Sequence, residues 1–177
     1  MPISVRAMAL ILVLASLLTA CGKSPPPSAV EVLAAMISEM ERTAQPLPDG
    51  VTYHRAAPPD SPAYLTDSLL SALYGEAARG LLEEEDGCAA IGDGAVYLSL
   101  SAYPCELAVF RCADPATAAT VLRLCRERMD TVARGYVGSE WEALAGRGQA
   151  EIAGGYVLLA IAEDPAAVLA AARRFLR

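Results

Sequence analysis

The run Tyr156-Val157-Leu158-Leu159-Ala160-Ile161-Ala162 constrains the fold of this chain more than any other segment. Every position is apolar, whereas a half-exposed strand would alternate apolar with polar residues. Such a strand is buried on both faces or lies at the centre of a sheet. The strand segment as a whole reads from Ala150 to Ala162, and Gly154-Gly155 within it predicts a bulge or a tight turn. Directly after it, Asp164-Pro165 supplies a helix cap and a proline suited to the first helical turn, so residues 166–176 read as the last helix.

The segments before this strand supply its companions. Residues 95–101 alternate, with Val96, Leu98 and Leu100 on one face, and Ala102-Tyr103-Pro104 makes a turn. Residues 105–112 (CELAVFRC) return as a second strand, so the two form a hairpin. Asp114-Pro115 repeats the cap-and-proline start and opens a long helix with the inner stripe Ala118, Val121, Leu122, Cys125, Met129, Val132 and Tyr136. A short helical piece at residues 139–144 carries Trp141 and is broken by Gly146 and Gly148. The carboxyl half therefore reads β-β-α-β-α: an α+β fold with a small, mostly antiparallel sheet packed by helices.

N-terminal helices precede it. Ser28 can cap a helix over residues 29–43, with Val30, Leu33, Met36, Ile37 and Met40 at helical spacing. Residues 45–62 read as loop, with Val51-Thr52-Tyr53 as a short edge strand. Asp67 opens a second helix that stops at Tyr74-Gly75, and a third piece over residues 77–85 ends in the acidic run Glu83-Glu84-Glu85-Asp86. The expected organisation is a helix and loop at 29–62 followed by one α+β domain at 63–177. Aromatic residues make up only 6%, so the core is expected to be Ala, Val and Leu around Trp141, Tyr156 and Phe175.

The first twenty residues have a different character. One positive charge, Arg6, precedes a run of twelve uncharged residues at 7–18, apolar at every position but Ser16. That is the length of a signal-peptide hydrophobic region and is short of the ~20 residues that cross a bilayer. Leu18-Thr19-Ala20-Cys21 then matches a lipobox: an aliphatic residue, two small residues and a cysteine whose thiol takes the diacylglycerol. The expectation is a signal peptide at 1–20, a lipidated Cys21, and a Pro-rich tether through residue 28. Two or more acyl chains hold firmly where one is marginal, because each buried CH₂ contributes ~0.8 kcal/mol.

Charge narrows the partners. The formal charge of −7 becomes −8 when residues 1–20, with their single base Arg6, are removed. Lys23 is the only lysine and the arginines are scattered, so the clustered cations that a nucleic acid requires are missing. Net negative charge also repels anionic headgroups, which leaves membrane affinity to the anchor.

Catalytic patterns are sparse. Cys88, Cys105, Cys112 and Cys125 are spaced by seventeen, seven and thirteen residues, which fits no usual zinc pattern. They are either free buried thiols or, outside the cytoplasm, disulfide partners, with Cys88 in reach of Cys112 or of the helix carrying Cys125. A thiolate nucleophile wants a base, and the only histidine, His54, reads as solvated in a Pro-rich loop. Asp60, Glu83, Glu84, Glu85, Asp86, Asp93 and Asp114 are carboxylates whose simplest reading is a solvated face. Glu106 stands apart because it opens an otherwise apolar strand, where an edge position facing water is the simplest expectation. The glycines at 92, 94, 146, 148, 154 and 155 lack the lysine and the strand-loop-helix order of a phosphate loop.

Several anchors taken together resemble a known family. These are Leu73-Tyr74-Gly75, the strand Cys105-Glu106-Leu107-Ala108-Val109-Phe110-Arg111, Arg126-Glu127-Arg128 in the long helix, Tyr136-Val137-Gly138-Ser139-Glu140-Trp141, and Gly155-Tyr156-Val157-Leu158-Leu159 before Asp164. Over residues 64–176 the chain resembles the bacterial lipoproteins catalogued as domain of unknown function 4358. It departs at Gly138, where the family tends to have proline, and in its cysteines, which lie outside the family pattern. The resemblance implies a small extracytoplasmic α+β domain on a lipid anchor and assigns no activity or site residue.

The leading functional expectation is a non-enzymatic binding or scaffolding module, tethered by Cys21 to the outer face of the cytoplasmic membrane or to an outer membrane. Its partners would be the membrane, through the anchor, and an envelope protein or ligand. No cofactor or metal pattern is present. One alternative is a cell-envelope hydrolase with an acid near Glu106 or Asp60. Another is a ligand-binding accessory of a transporter, for which a 157-residue mature chain lacks the usual two-lobed size.

Overall fold

The computed structural model describes residues 25–85 and 88–177, and the side chains of residues 84–88 lie outside that description. Helix α1 (Ala29–Arg42) begins at Ser28, whose hydroxyl and backbone exchange hydrogen bonds with Glu31 in a capping box. Strand β1 (Gly50–His54) follows, then α2 (Asp67–Tyr74), capped by the Thr66 side chain. In place of a third helical piece at 77–85 the chain makes one 3₁₀ turn, Glu76–Ala78. Gly80, at φ 81°, then breaks the helical path, and a two-residue hairpin pairs β2 (Glu84–Glu85) with β3 (Cys88–Ala89).

Beyond the hairpin come β4 (Ile91–Ser99), β5 (Glu106–Cys112), α3 (Pro115–Gly135), α4 (Glu142–Ala145), β6 (Gln149–Ala153), β7 (Tyr156–Ile161) and α5 (Pro165–Phe175). The expected β-β-α-β-α thus gains a strand. Gly154 and Gly155 both have positive φ, 57° and 84°, the conformation of a two-residue hairpin turn, and Ala153 pairs with Tyr156 across it.

Five strands form one antiparallel sheet in the order β1-β4-β5-β7-β6. The long apolar run of the sequence is β7, buried at all six positions between β5 and the half-exposed edge strand β6. Both faces of the sheet are covered. On one, Leu107, Val109, Tyr156, Leu158 and Ala160 pack against α1 and α5. On the other, Ala108, Phe110, Val157, Leu159 and Ile161 pack against α2 and α3. Alternate residues of β5 and β7 thus serve opposite layers. An antiparallel sheet sandwiched between helices confirms the α+β class.

Segment 29–62 belongs to this same layered unit and does not precede it. β1 pairs with β4 from Gly50↔Ser99 to His54↔Ala95, and α1 buries Val32, Leu33, Met36 and Met40 against the sheet. Among the expected anchors Tyr156 is buried and Trp141 half-buried. Phe175 is 47% exposed, because it falls in the last turn of α5 beyond the sheet's cover. The central positions of α3 are Ala118, Val121, Leu124 and Cys125, with Leu122, Met129 and Val132 at the margin.

Candidate functional site

Glu106 is the one carboxylate on the central strands whose side chain is almost wholly enclosed. It is 3% exposed, at the start of β5, between Leu98 of β4 and Ile161 of β7. The edge position expected for it is therefore wrong: β5 is the middle strand, and the even positions of β5 face α3. Burying a carboxylate costs several kcal/mol unless it is paired and hydrogen-bonded. Here both oxygens are satisfied. The Tyr74 hydroxyl donates to Oε1 at 3.0 Å, and Arg128 donates to Oε2 from Nε at 2.9 Å, with Nη2 in ion-pair contact with the same oxygen at 2.7 Å.

Three elements build this group. Tyr74 is the last residue of α2, fixed by an edge-to-face contact with Phe110 at 5.4 Å. Arg128 lies one turn after Cys125 on the inner stripe of α3. Burial and then the charge of Glu106 hold the Tyr74 hydroxyl well above its usual range, so it stays protonated and donates. Burial works against the Arg128 charge, but the bond to Glu106 and its charge outweigh it, and the guanidinium stays charged. Tyr74 and Arg128 both fall within the anchor motifs of the sequence, but nothing in those motifs marks them as partners of Glu106. The available signal for the pairing is Glu106 itself, since an acid opening an apolar strand demands a donor from the layer above.

The pair forms the floor of a pocket of about 110 Å³ at the end of the sheet where β4 turns into β5. Its walls include Ser99, Ser101, Tyr103, Tyr136 and Cys105. Arg128 retains 21% of its side-chain surface here, and among the described residues its Nη1 makes no hydrogen bond to protein. The two serines are turned by the loop: Ser99 Oγ accepts from the Ser101 amide at 3.1 Å, and Ser101 Oγ accepts from the Tyr103 amide at 3.2 Å. The pocket is a cleft with open donors on Arg128 and Tyr136 beside one charge-paired carboxylate. Among the described residues Glu106 is the only acid that lines it, with no second carboxylate beside it for paired acid-base chemistry.

The other candidate residues are scattered. Asp60 and Glu83 are exposed, while the side chains of Glu84, Glu85 and Asp86 fall outside the described residues. Asp93 accepts from the Ala29 amide at 2.7 Å, and Asp114 caps α3 by accepting from the Ala116 and Thr117 amides, both at 2.8 Å. These carboxylates have structural work and do not converge. His54 is not a solvated loop residue: it ends β1, half-buried, with Nδ1 enclosed and without a hydrogen-bond partner. Burial pushes the thiols of Cys105 and Cys112 up to about 12 and about 11, and raises Cys125 further. All three are free, and as neutral thiols they are poor nucleophiles. The reach of Cys88 and the lipidation of Cys21 both fall outside the described residues. No group of three or more metal-ligating side chains occurs among the described residues.

The chain enters the fold at the opposite end of the sheet from this pocket. The Tyr156 hydroxyl, at the start of β7, donates to the Pro27 carbonyl, and the Ala29 amide bonds Asp93 near the start of β4. β5 runs from the pocket at Glu106 to Cys112 at the entry end, about 20 Å at ~3.3 Å per residue. Compared with known proteins, the chain matches no protein-family profile, no curated protein and no solved structure.

Proposed function

We propose that the chain is an extracytoplasmic lipoprotein, anchored through Cys21, whose domain is a non-enzymatic binding module. The observation that carries this is Leu18-Thr19-Ala20-Cys21 at the end of the apolar run. The likeness to the lipoproteins of domain of unknown function 4358 points the same way. A short tether fits it: only five residues lie between Cys21 and Pro27, a reach of about 20 Å. An anchor at that distance holds the entry end of the sheet toward the bilayer and presents the Glu106–Arg128 pocket outward. No helix among the described residues is long and apolar enough to cross a membrane. A binding role suits the pocket better than hydrolysis, because its one carboxylate is fully committed to Tyr74 and Arg128.

Metabolic labelling with palmitate tests the anchor. The wild-type protein takes label and sediments with membranes, and Cys21→Ser does neither. Label retained by Cys21→Ser would refute the lipoprotein reading.

A further inference from the structure

We infer that the pocket over Arg128 is a carboxylate-binding site, and that its ligand carries the carboxylate on a short apolar stem. Three features lead there. The first is the unused half of the guanidinium. Glu106 takes Nε and Nη2 on a single oxygen, leaving Nη1 and its two protons without a protein partner among the described residues. A guanidinium fork with a free edge favours a planar two-oxygen acceptor. The second is the lining. The Ser99 and Ser101 hydroxyls are engaged within the loop, bonded to each other at 2.9 Å, while the half-buried Tyr136 offers a hydroxyl with no protein hydrogen bond among the described residues. The Tyr136 hydroxyl and Arg128 Nη1 are therefore the protons offered to an incoming acceptor, and the acid present is charge-paired by Arg128 and hydrogen-bonded by Tyr74. The third is size and rim. The cleft of about 110 Å³ admits a carboxylate with its first carbons and leaves the rest of a larger ligand outside. Leu100, 71% exposed, lies between the lining residues Ser99 and Ser101, and Val137, 70% exposed, directly follows the lining residue Tyr136. Their exposed apolar surface is available to the stem that bears the carboxylate.

Two sources offer this chemistry, a free short-chain acid and the carboxyl terminus of a partner polypeptide. In either case the site faces outward if the anchor proposal holds, but its binding does not depend on lipidation. Titration of the full-length protein in detergent with butyrate, butyramide, and the tripeptide Ala-Leu-Val with a free or an amidated terminus tests it, read from the Arg128 Nε–H and the Leu100 and Val137 amides by NMR. Butyrate and the free-acid peptide shift these signals saturably, and their amides bind at least tenfold more weakly. A free-acid peptide that binds tenfold tighter than butyrate identifies a chain terminus as the source; equal affinity identifies a small acid. Substituting Arg128 disturbs the Glu106 pair as well, so Tyr136→Phe is the deciding variant: it weakens butyrate binding about three- to tenfold with thermal unfolding unchanged. Amides that bind as well as acids, no saturable shift, or unaltered affinity in Tyr136→Phe would overturn the inference. Because palmitate labelling is read separately, failure here leaves the anchor proposal standing.

Discussion

Removing Glu106 alone should be among the most damaging single substitutions in this domain, while removing the whole polar group should be nearly harmless. Glu106→Leu leaves the Arg128 guanidinium charged, with a fifth of its side chain exposed and its Nε and Nη2 donors unpaired. It also leaves the buried Tyr74 hydroxyl without an acceptor. Breaking a buried ion pair from one side costs about 3–5 kcal/mol. The partial exposure of Arg128 lets water recover some of this, so about 3 kcal/mol is expected. Arg128→Met strands a buried carboxylate with only Tyr74 as donor and should cost at least as much. Glu106→Gln keeps the shape but has one acceptor oxygen for two donors, so with that oxygen on Arg128 the Tyr74 hydroxyl must turn to accept from the amide NH₂, and the change should cost about 1–3 kcal/mol.

The triple variant Tyr74→Phe, Glu106→Leu, Arg128→Met removes every donor and acceptor together. Well-packed apolar replacements of a buried pair are often neutral or stabilising, so it should lie within about 1 kcal/mol of wild type. Urea unfolding monitored by Trp141 fluorescence measures all four. Losses below 1 kcal/mol for both Glu106→Leu and Arg128→Met, or a triple variant as unstable as either, would refute the account of Glu106 as a buried charge satisfied by two partners.

Burial and backbone geometry give two further expected outcomes. Cys105 is held at about 12 by burial against an ordinary value of 9.0, and Cys125 is raised further, so above pH 9 the unfolded chain releases protons that the folded chain keeps. Stability is then fully present below about pH 9 and declines as pH rises toward 12, with a slope of up to ~1.4 kcal/mol per pH unit for each thiol; a urea midpoint equal at pH 7 and pH 10.5 contradicts this. Gly50→Ala would place a Cβ 2.4 Å from the Tyr97 ring and 2.6 Å from the Leu98 carbonyl oxygen, and should cost about 1–3 kcal/mol. At Gly135, with negative φ and open space, the same change should add about 0.4–1 kcal/mol, and thermal unfolding of the two variants reads the contrast.

The central strand, the β4–β5 hairpin, the cap-and-proline starts of α3 and α5, and the edge strand at 51–53 were legible because each is a local signal: periodicity, turn residues, a capping side chain. Whatever depended on distant partners was not. Gly154-Gly155 marked a turn or a bulge equally well until Ala153 met Tyr156. The chain at 77–85 has helical composition, but Gly80 and pairing with β3 override it. Glu106 was conspicuous, yet its burial is set by β4 and β7 on its flanks and by Arg128 twenty-two positions away. The exposed apolar side chains of Leu100 and Val137 look in sequence like ordinary continuations of the strand and helix before them.

The two hydrogen bonds that fix the chain's entry have a mechanical consequence. A pull on Pro25 away from the domain is transmitted through the Pro27 carbonyl to Tyr156 and through the Ala29 amide to Asp93, and so into β7 and β4. Both are interior strands with a neighbour on each side. A pull along the strands would act across backbone hydrogen bonds that lie perpendicular to them, loading the ladders in shear. Each link is a single side-chain bond, so these two bonds give first and act as a brace that keeps small loads off the first turn of α1.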